Sequence, residues 1–185
     1  LARIGTATED RVDGEEAGTS FASLRVRILG PLEIDRGNEA LPADAWRSRR
    51  ARRLLQMLLL RRGHAAPREV IMDAMWPDTS PRKAALNLRQ TLFQLRRILE
   101  PEHAEQPVHV LADGDALRLD LGPDGECDLE VFDSALRSAQ RSRHDGETAE
   151  EVAGLHEAVD LWRGPLLADA PYDPESEITV TSGAT

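Results

Sequence analysis

Five hydrogen-bond donors, Lys83, Asn87, Gln90, Gln94 and Arg97, follow one another at spacings of four, three, four and three residues. On an α-helix that spacing puts them on one face. Carboxamides and cations of this kind hydrogen-bond base edges or hold phosphates in a major groove. An ordinary solvated face is the competing explanation, but such faces mix in Asp and Glu, and this stripe has neither. Asn87, Gln90, Thr91 and Gln94 are therefore expected to face bases, and Lys83, Arg96 and Arg97 to hold phosphates. A second cationic cluster, Arg47, Arg49, Arg50, Arg52 and Arg53, opens another helical stretch. Cations there oppose the helix dipole at roughly 0.3 kcal/mol or more apiece. A sequence that tolerates this has a use for the charge, so Arg49, Arg50 and Arg53 are also expected on phosphate.

Other chemistry finds little support. The five histidines have no partner at helical spacing, and the one cysteine, Cys127, has no second thiol for a disulfide or a zinc site. No glycine-rich phosphate loop and no Gly-x-Ser-x-Gly turn is present. No enzyme, catalytic residue, metal or cofactor is expected. Cys127 reads as a small buried side chain, and Trp76 and Trp162 as core anchors at helix ends.

Three helical stretches position the polar groups. Ser48 caps one running to about Arg62, with Ala51, Leu54, Leu55, Leu58 and Leu59 inward and Gly63 as its stop. Pro67 opens a shorter one with Val70, Ile71, Ala74 and Met75 inward, closed by Trp76-Pro77. Ser80-Pro81 starts the third, whose inward stripe is Ala85, Leu88, Leu92, Leu95 and Leu99. Before them, Leu24, Val26 and Ile28 alternate with Arg25 and Arg27 as in a half-buried strand, and Leu32 to Leu41 folds back on it as a small antiparallel sheet. After them, Val108 to Leu111 and Ala116 to Leu121 flank Asp113-Gly114-Asp115 as a hairpin. Strands, three helices and a hairpin make a winged helix-turn-helix plan, in which the third helix enters the major groove and the hairpin is the wing.

Charge supports the plan only when partitioned. The 185 residues carry a formal charge of −10 and a pI near 5.0, which argues against nucleic acid. Between Trp46 and Glu100, however, 13 basic residues face 4 acidic ones, leaving +9 on this island and −19 on the rest. A local positive field attracts phosphate whatever the total.

Leu24-Arg25-Val26-Arg27-Ile28-Leu29-Gly30-Pro31-Leu32, Met75-Trp76-Pro77 and Leu95-Arg96-Arg97-Ile98-Leu99 resemble the OmpR-type winged-helix domain as it occurs in SARP-type activators, the antibiotic regulatory proteins of actinobacteria. Cys127 to Phe132 and Ala158 to Leu167 resemble the start of the all-helical, tetratricopeptide-like bacterial transcriptional activation domain that follows it in those proteins. The resemblance implies a transcriptional activator that binds double-stranded promoter DNA, forms dimers on direct repeats and contacts RNA polymerase. One departure lies in the wing, where the family's Gly-Tyr pair is replaced by Asp115-Ala116-Leu117 and the tip carries aspartates.

The organisation expected is thus an α+β winged helix-turn-helix over residues 24–125, after a disordered leader at 1–23. An incomplete all-α segment follows at 126–174, with helices near Asp128 to Arg143 and Thr148 to Trp162, and a polar tail at 175–185. A helix pair this short must pack on the winged helix, pair with another chain or have lost its partners. The first residue is Leu rather than Met, as in a fragment or processed chain. With neither a membrane span nor a secretory signal in sight, a cytoplasmic location is expected. The alternative function is a protein-protein interaction module, with the acidic helical segment binding a partner and the winged helix as scaffold.

Overall fold

Alternation of apolar and polar residues sets the first strand, β1 (Leu24–Arg27), with Leu24 and Val26 buried and Arg25 exposed in the computed structural model, which describes residues 21–100 and 106–169. β2 (Glu33–Arg36) returns antiparallel to it, with Val26 opposite Ile34, and β3 (Glu39–Ala40) follows through the turn at Gly37. The expected sheet was wholly antiparallel. A fourth strand, β7 (Glu126–Cys127), lies parallel to β1 on its other side and makes the order β3-β2-β1-β7. Two residues of unalternated sequence carry no strand signal of their own, so only tertiary pairing defines β7.

The first helix follows the apolar spacing closely, and the second and third follow it in part. α1 (Arg49–Leu59) begins where the Ser48 hydroxyl accepts the Ala51 amide at 3.2 Å, and it buries Ala51, Leu54, Leu55, Leu58 and Leu59. β4 (Ala65–Pro67) precedes α2 (Arg68–Met75), so Pro67 ends a strand and caps the helix rather than beginning it. Of the four residues expected inward on α2, only Ile71 is buried; Met75 is half-buried, while Val70 and Ala74 are exposed. With β4 occupying one side, this short helix has a single narrow contact line. α3 (Pro81–Leu99) starts with proline in its first turn and buries Ala84, Leu88, Thr91, Leu92, Leu95 and Leu99. β5 (Val110–Asp113) and β6 (Ala116–Leu119) form the expected hairpin around Gly114, and β4 adds to it antiparallel in the order β4-β6-β5.

α4 (Asp128–Asp145) and α5 (Thr148–Leu161) pack against each other as an antiparallel pair joined at Gly146, whose φ of 78° is the left-handed conformation that ends many helices. Asp128 locks this pair to the first sheet. Its buried carboxylate accepts the Ile28 amide at 2.8 and 2.9 Å and the Leu29 amide at 2.9 Å. The chain beyond α5 then runs back along the residues that follow β1: Arg163 donates to the Leu29 carbonyl, Leu167 to Ile28 and Ala168 to Gly30. Gly30 has a φ of 145°, and a Cβ there would come within 3.1 Å of the Arg163 Cβ, so glycine is required by both conformation and space.

Leu167 joins the same buried cluster as Leu24, Leu54, Leu95 and Leu117, so the core runs unbroken from β1 to the segment after α5. Cys127 is buried in it as expected. Trp76 is buried at the end of α2, but Trp162 is 55% exposed and anchors nothing. Among the described residues, no helix is long and apolar enough to cross a membrane.

Candidate nucleic-acid interface

The interface is built on α3, which carries five basic residues and no acidic one. Arg82, Lys83, Arg89 and Arg97 are exposed, and Gln90 stands among them. Asn87 and Gln94 are half-buried. The outermost line of the helix is therefore not the stripe read from the sequence. It runs Lys83, Leu86, Gln90, Phe93, Arg97, at spacings of three, four, three and four residues, with Leu86 and Phe93 59% and 62% exposed. Thr91 makes this possible. Its hydroxyl donates to the Asn87 carbonyl at 2.8 Å within the helix, so its polar atom is satisfied and the side chain can be buried to 3% exposure. The helix rolls accordingly, Ala84 taking the inward place expected for Ala85, which is exposed.

Several expected contacts are consequently engaged elsewhere. Thr91 offers no surface to a base. Gln94 accepts the Ser48 hydroxyl through Oε1 at 2.6 Å, which ties α3 to the cap of α1. Arg96 turns its guanidinium onto the Val110 carbonyl of β5, with Nε at 3.0 Å and Nη2 at 2.7 Å. Burial pushes its ionisation below the ordinary arginine value; Glu100 opposes that shift and Arg68 adds to it. Arg96 therefore braces the hairpin against α3. Arg53 donates to the Ala74 carbonyl at 3.1 Å, joining α1 to α2. Arg49 and Arg50 are exposed at the start of α1, whereas Arg52 pairs with Asp169 beyond α5.

Arg82 and Arg89, exposed on α3, were not singled out from the sequence, and neither were Leu86 and Phe93. The available signal was the absence of acid over the whole helix, which is stronger than any one stripe. The hairpin tip, Asp113-Gly114-Asp115, is exposed, and the Asp115 carbonyl accepts the Arg68 amide at 2.8 Å, fixing the tip beside α2. Among the described residues, no group of three or more His, Cys, Asp and Glu is placed to hold a metal ion.

Residues 127–182 match the bacterial transcriptional activator domain. The transcriptional regulatory protein MoaR1 of Mycobacterium bovis is 28% identical over 151 residues, an alignment covering 82% of this chain and 48% of that protein. The regulatory protein AfsR of Streptomyces coelicolor is 32% identical over 162 residues, covering 85% of this chain and 14% of that protein. The chain thus spans about half of MoaR1 and a small part of AfsR. The fold resembles Mycobacterium tuberculosis EmbR, solved in complex with a low-affinity phosphopeptide, with a TM-score of 0.66 and 23% identity over 80% of this chain and 38% of that one. Matched domain, related regulators and shared α+β fold agree: the chain is similar to SARP-type transcriptional regulators.

Proposed function

We propose that the chain is a sequence-specific DNA-binding transcriptional activator that docks α3 in the major groove of promoter DNA, with the β5–β6 hairpin as its wing. The observation that carries this reading is the exposed side of α3, four cations with Gln90 between them and no carboxylate on the helix. On a duplex, Arg82, Lys83, Arg89 and Arg97, with Arg49 and Arg50 from α1, hold phosphates, while Gln90 and Asn87 read base edges. In this reading residues 24–125 are the winged-helix unit and 126–174 begin a tetratricopeptide-like activation unit. The protein works in the cytoplasm by binding alone, with no catalytic step, as a dimer on direct repeats in contact with RNA polymerase.

The test is an anisotropy titration of the chain on duplexes selected from a random pool. A preference of about 1000-fold over unselected DNA at physiological salt is expected of a specific regulator. Equal binding to selected and unselected duplexes would overturn the proposal.

A second reading, the interaction module, is favoured by one feature. Val152, Leu155 and Val159 on α5 and Trp162 at its C-cap are exposed at spacings of three, four and three residues, apolar groups with no cover among the described residues. Under this reading the winged helix is a scaffold that selects no DNA site, and Val159→Asp with Trp162→Asp abolishes co-elution with purified RNA polymerase.

A further inference from the structure

Leu86 and Phe93 are the two apolar members of the outermost line of α3, and they are among the most exposed large hydrophobic residues described. A single exposed leucine is common on any protein. Here two lie seven residues apart on one face, and every charged residue of that helix is basic. An apolar pair amid cations alone is poorly suited to water and poorly suited to a basic or neutral protein surface. It suits a polyanion that also presents apolar groups, and the major groove does so through the C5-methyl of thymine.

We propose that Leu86 and Phe93 are specificity-determining residues that each cover a thymine methyl in the DNA site. The inference rests on the reading of α3 as the groove-bound helix. Seven residues of α-helix advance about 10.5 Å, close to three base-pair steps of about 3.4 Å. The preferred site therefore contains two thymine positions about three base pairs apart, with Gln90 hydrogen-bonding an edge between them. The amides and cations fix register, and the two apolar side chains select thymine over cytosine at those positions.

The experiment exchanges thymine for deoxyuridine, which keeps every hydrogen-bonding group and lacks only the methyl, one position at a time in a duplex selected by the wild-type chain. Anisotropy titrations are run with the wild type, Leu86→Ala and Phe93→Ala. Wild-type affinity should fall about fourfold at each of two positions about three base pairs apart, the factor for one methyl-sized apolar group returned to water. Each variant should lose the methyl dependence at one of these positions and retain it at the other. Specific wild-type binding that ignores every deoxyuridine exchange overturns this inference and leaves DNA binding by α3 standing. Absence of any selected duplex removes both. If Leu86→Ala and Phe93→Ala weaken thymine and deoxyuridine duplexes equally, or change the sedimentation of the free chain instead, the pair serves a protein contact and the inference fails. The wild-type arm does not depend on how the variants fold.

Discussion

The Ser48 hydroxyl sits between two helices, donating to Gln94 Oε1 of α3 at 2.6 Å while accepting the Ala51 amide of α1 at 3.2 Å. The cap that starts one helix is therefore also bonded to the other. Ser48→Ala should destabilise the fold by about 1 kcal/mol, the usual loss for an N-cap. Gln94→Ala should cost about 0.5–1.5 kcal/mol. Because the two share one bond, the double variant should fall short of the sum, which a double-mutant cycle from urea melts reads directly. Full additivity would show that the bond contributes nothing.

Neighbouring arginines on α3 should separate cleanly by assay. Arg97 is exposed, so Arg97→Ala should leave stability within about 0.5 kcal/mol and reduce the salt dependence of DNA binding by about one unit of slope. Arg96 holds the Val110 carbonyl, so Arg96→Ala should cost about 1–3 kcal/mol of stability and leave the salt slope unchanged. Titrations from low to moderate salt beside thermal melts measure both.

Asp169 gives the fold an acid-sensitive joint. Burial pushes its carboxyl up, but the Leu32 amide and the Arg52 guanidinium outweigh that and hold it below its ordinary value of 3.8. A carboxyl depressed in the folded state contributes fully above its unfolded value, and the contribution disappears as pH falls through the folded value. Asp169→Asn should therefore lower the urea midpoint at pH 7 and narrow the gap between pH 7 and pH 3. An unchanged gap would remove Asp169 from the acid response.

Burial pushes the Cys127 thiol up to about 12, with the neighbouring Asp128 charge in support and the backbone amides of Leu129 and Glu130 opposing. Alkylation requires the thiolate. Iodoacetamide at pH 8 should leave the native chain unmodified over hours and label it promptly in urea, as mass spectrometry would record. Prompt native labelling would mean that the β1–β7 edge opens readily.

Much of this architecture was legible in residue spacing. The buried line of α1, the proline start of α3 and the hairpin at Gly114 all follow from periodicity and turn chemistry that act within a few residues. What was not legible depends on contacts across the chain. β4 and β7 are strands only because β6 and β1 lie beside them, and the exposure of Trp162 depends on what α5 packs against. The candidate interface was half-legible for a related reason. The cationic, acid-free character of α3 is a property of composition, but which side of the helix faces the core depends on packing across the chain. Thr91 counts as polar in any pattern, yet it is satisfied by Asn87 and goes inward, bringing Leu86 and Phe93 out. Arg96 and Arg97 are indistinguishable in the sequence and differ only in that β5 passes beside one of them.

The parallel pairing of β1 with β7, and the return of Leu167 onto Ile28, have a consequence for synthesis. Arg25 and Glu126 are 101 residues apart. At about 5–20 residues per second, the ribosome releases strand β1 roughly 5–20 s before its second neighbour exists, and Leu167 arrives later still. During that interval the nascent chain displays an open strand edge with Ile28 uncovered, the kind of edge that recruits foreign strands. The helical segment thus does for the N-terminal sheet what a chaperone would otherwise have to do, and a chain cut at residue 125 would keep that edge open permanently.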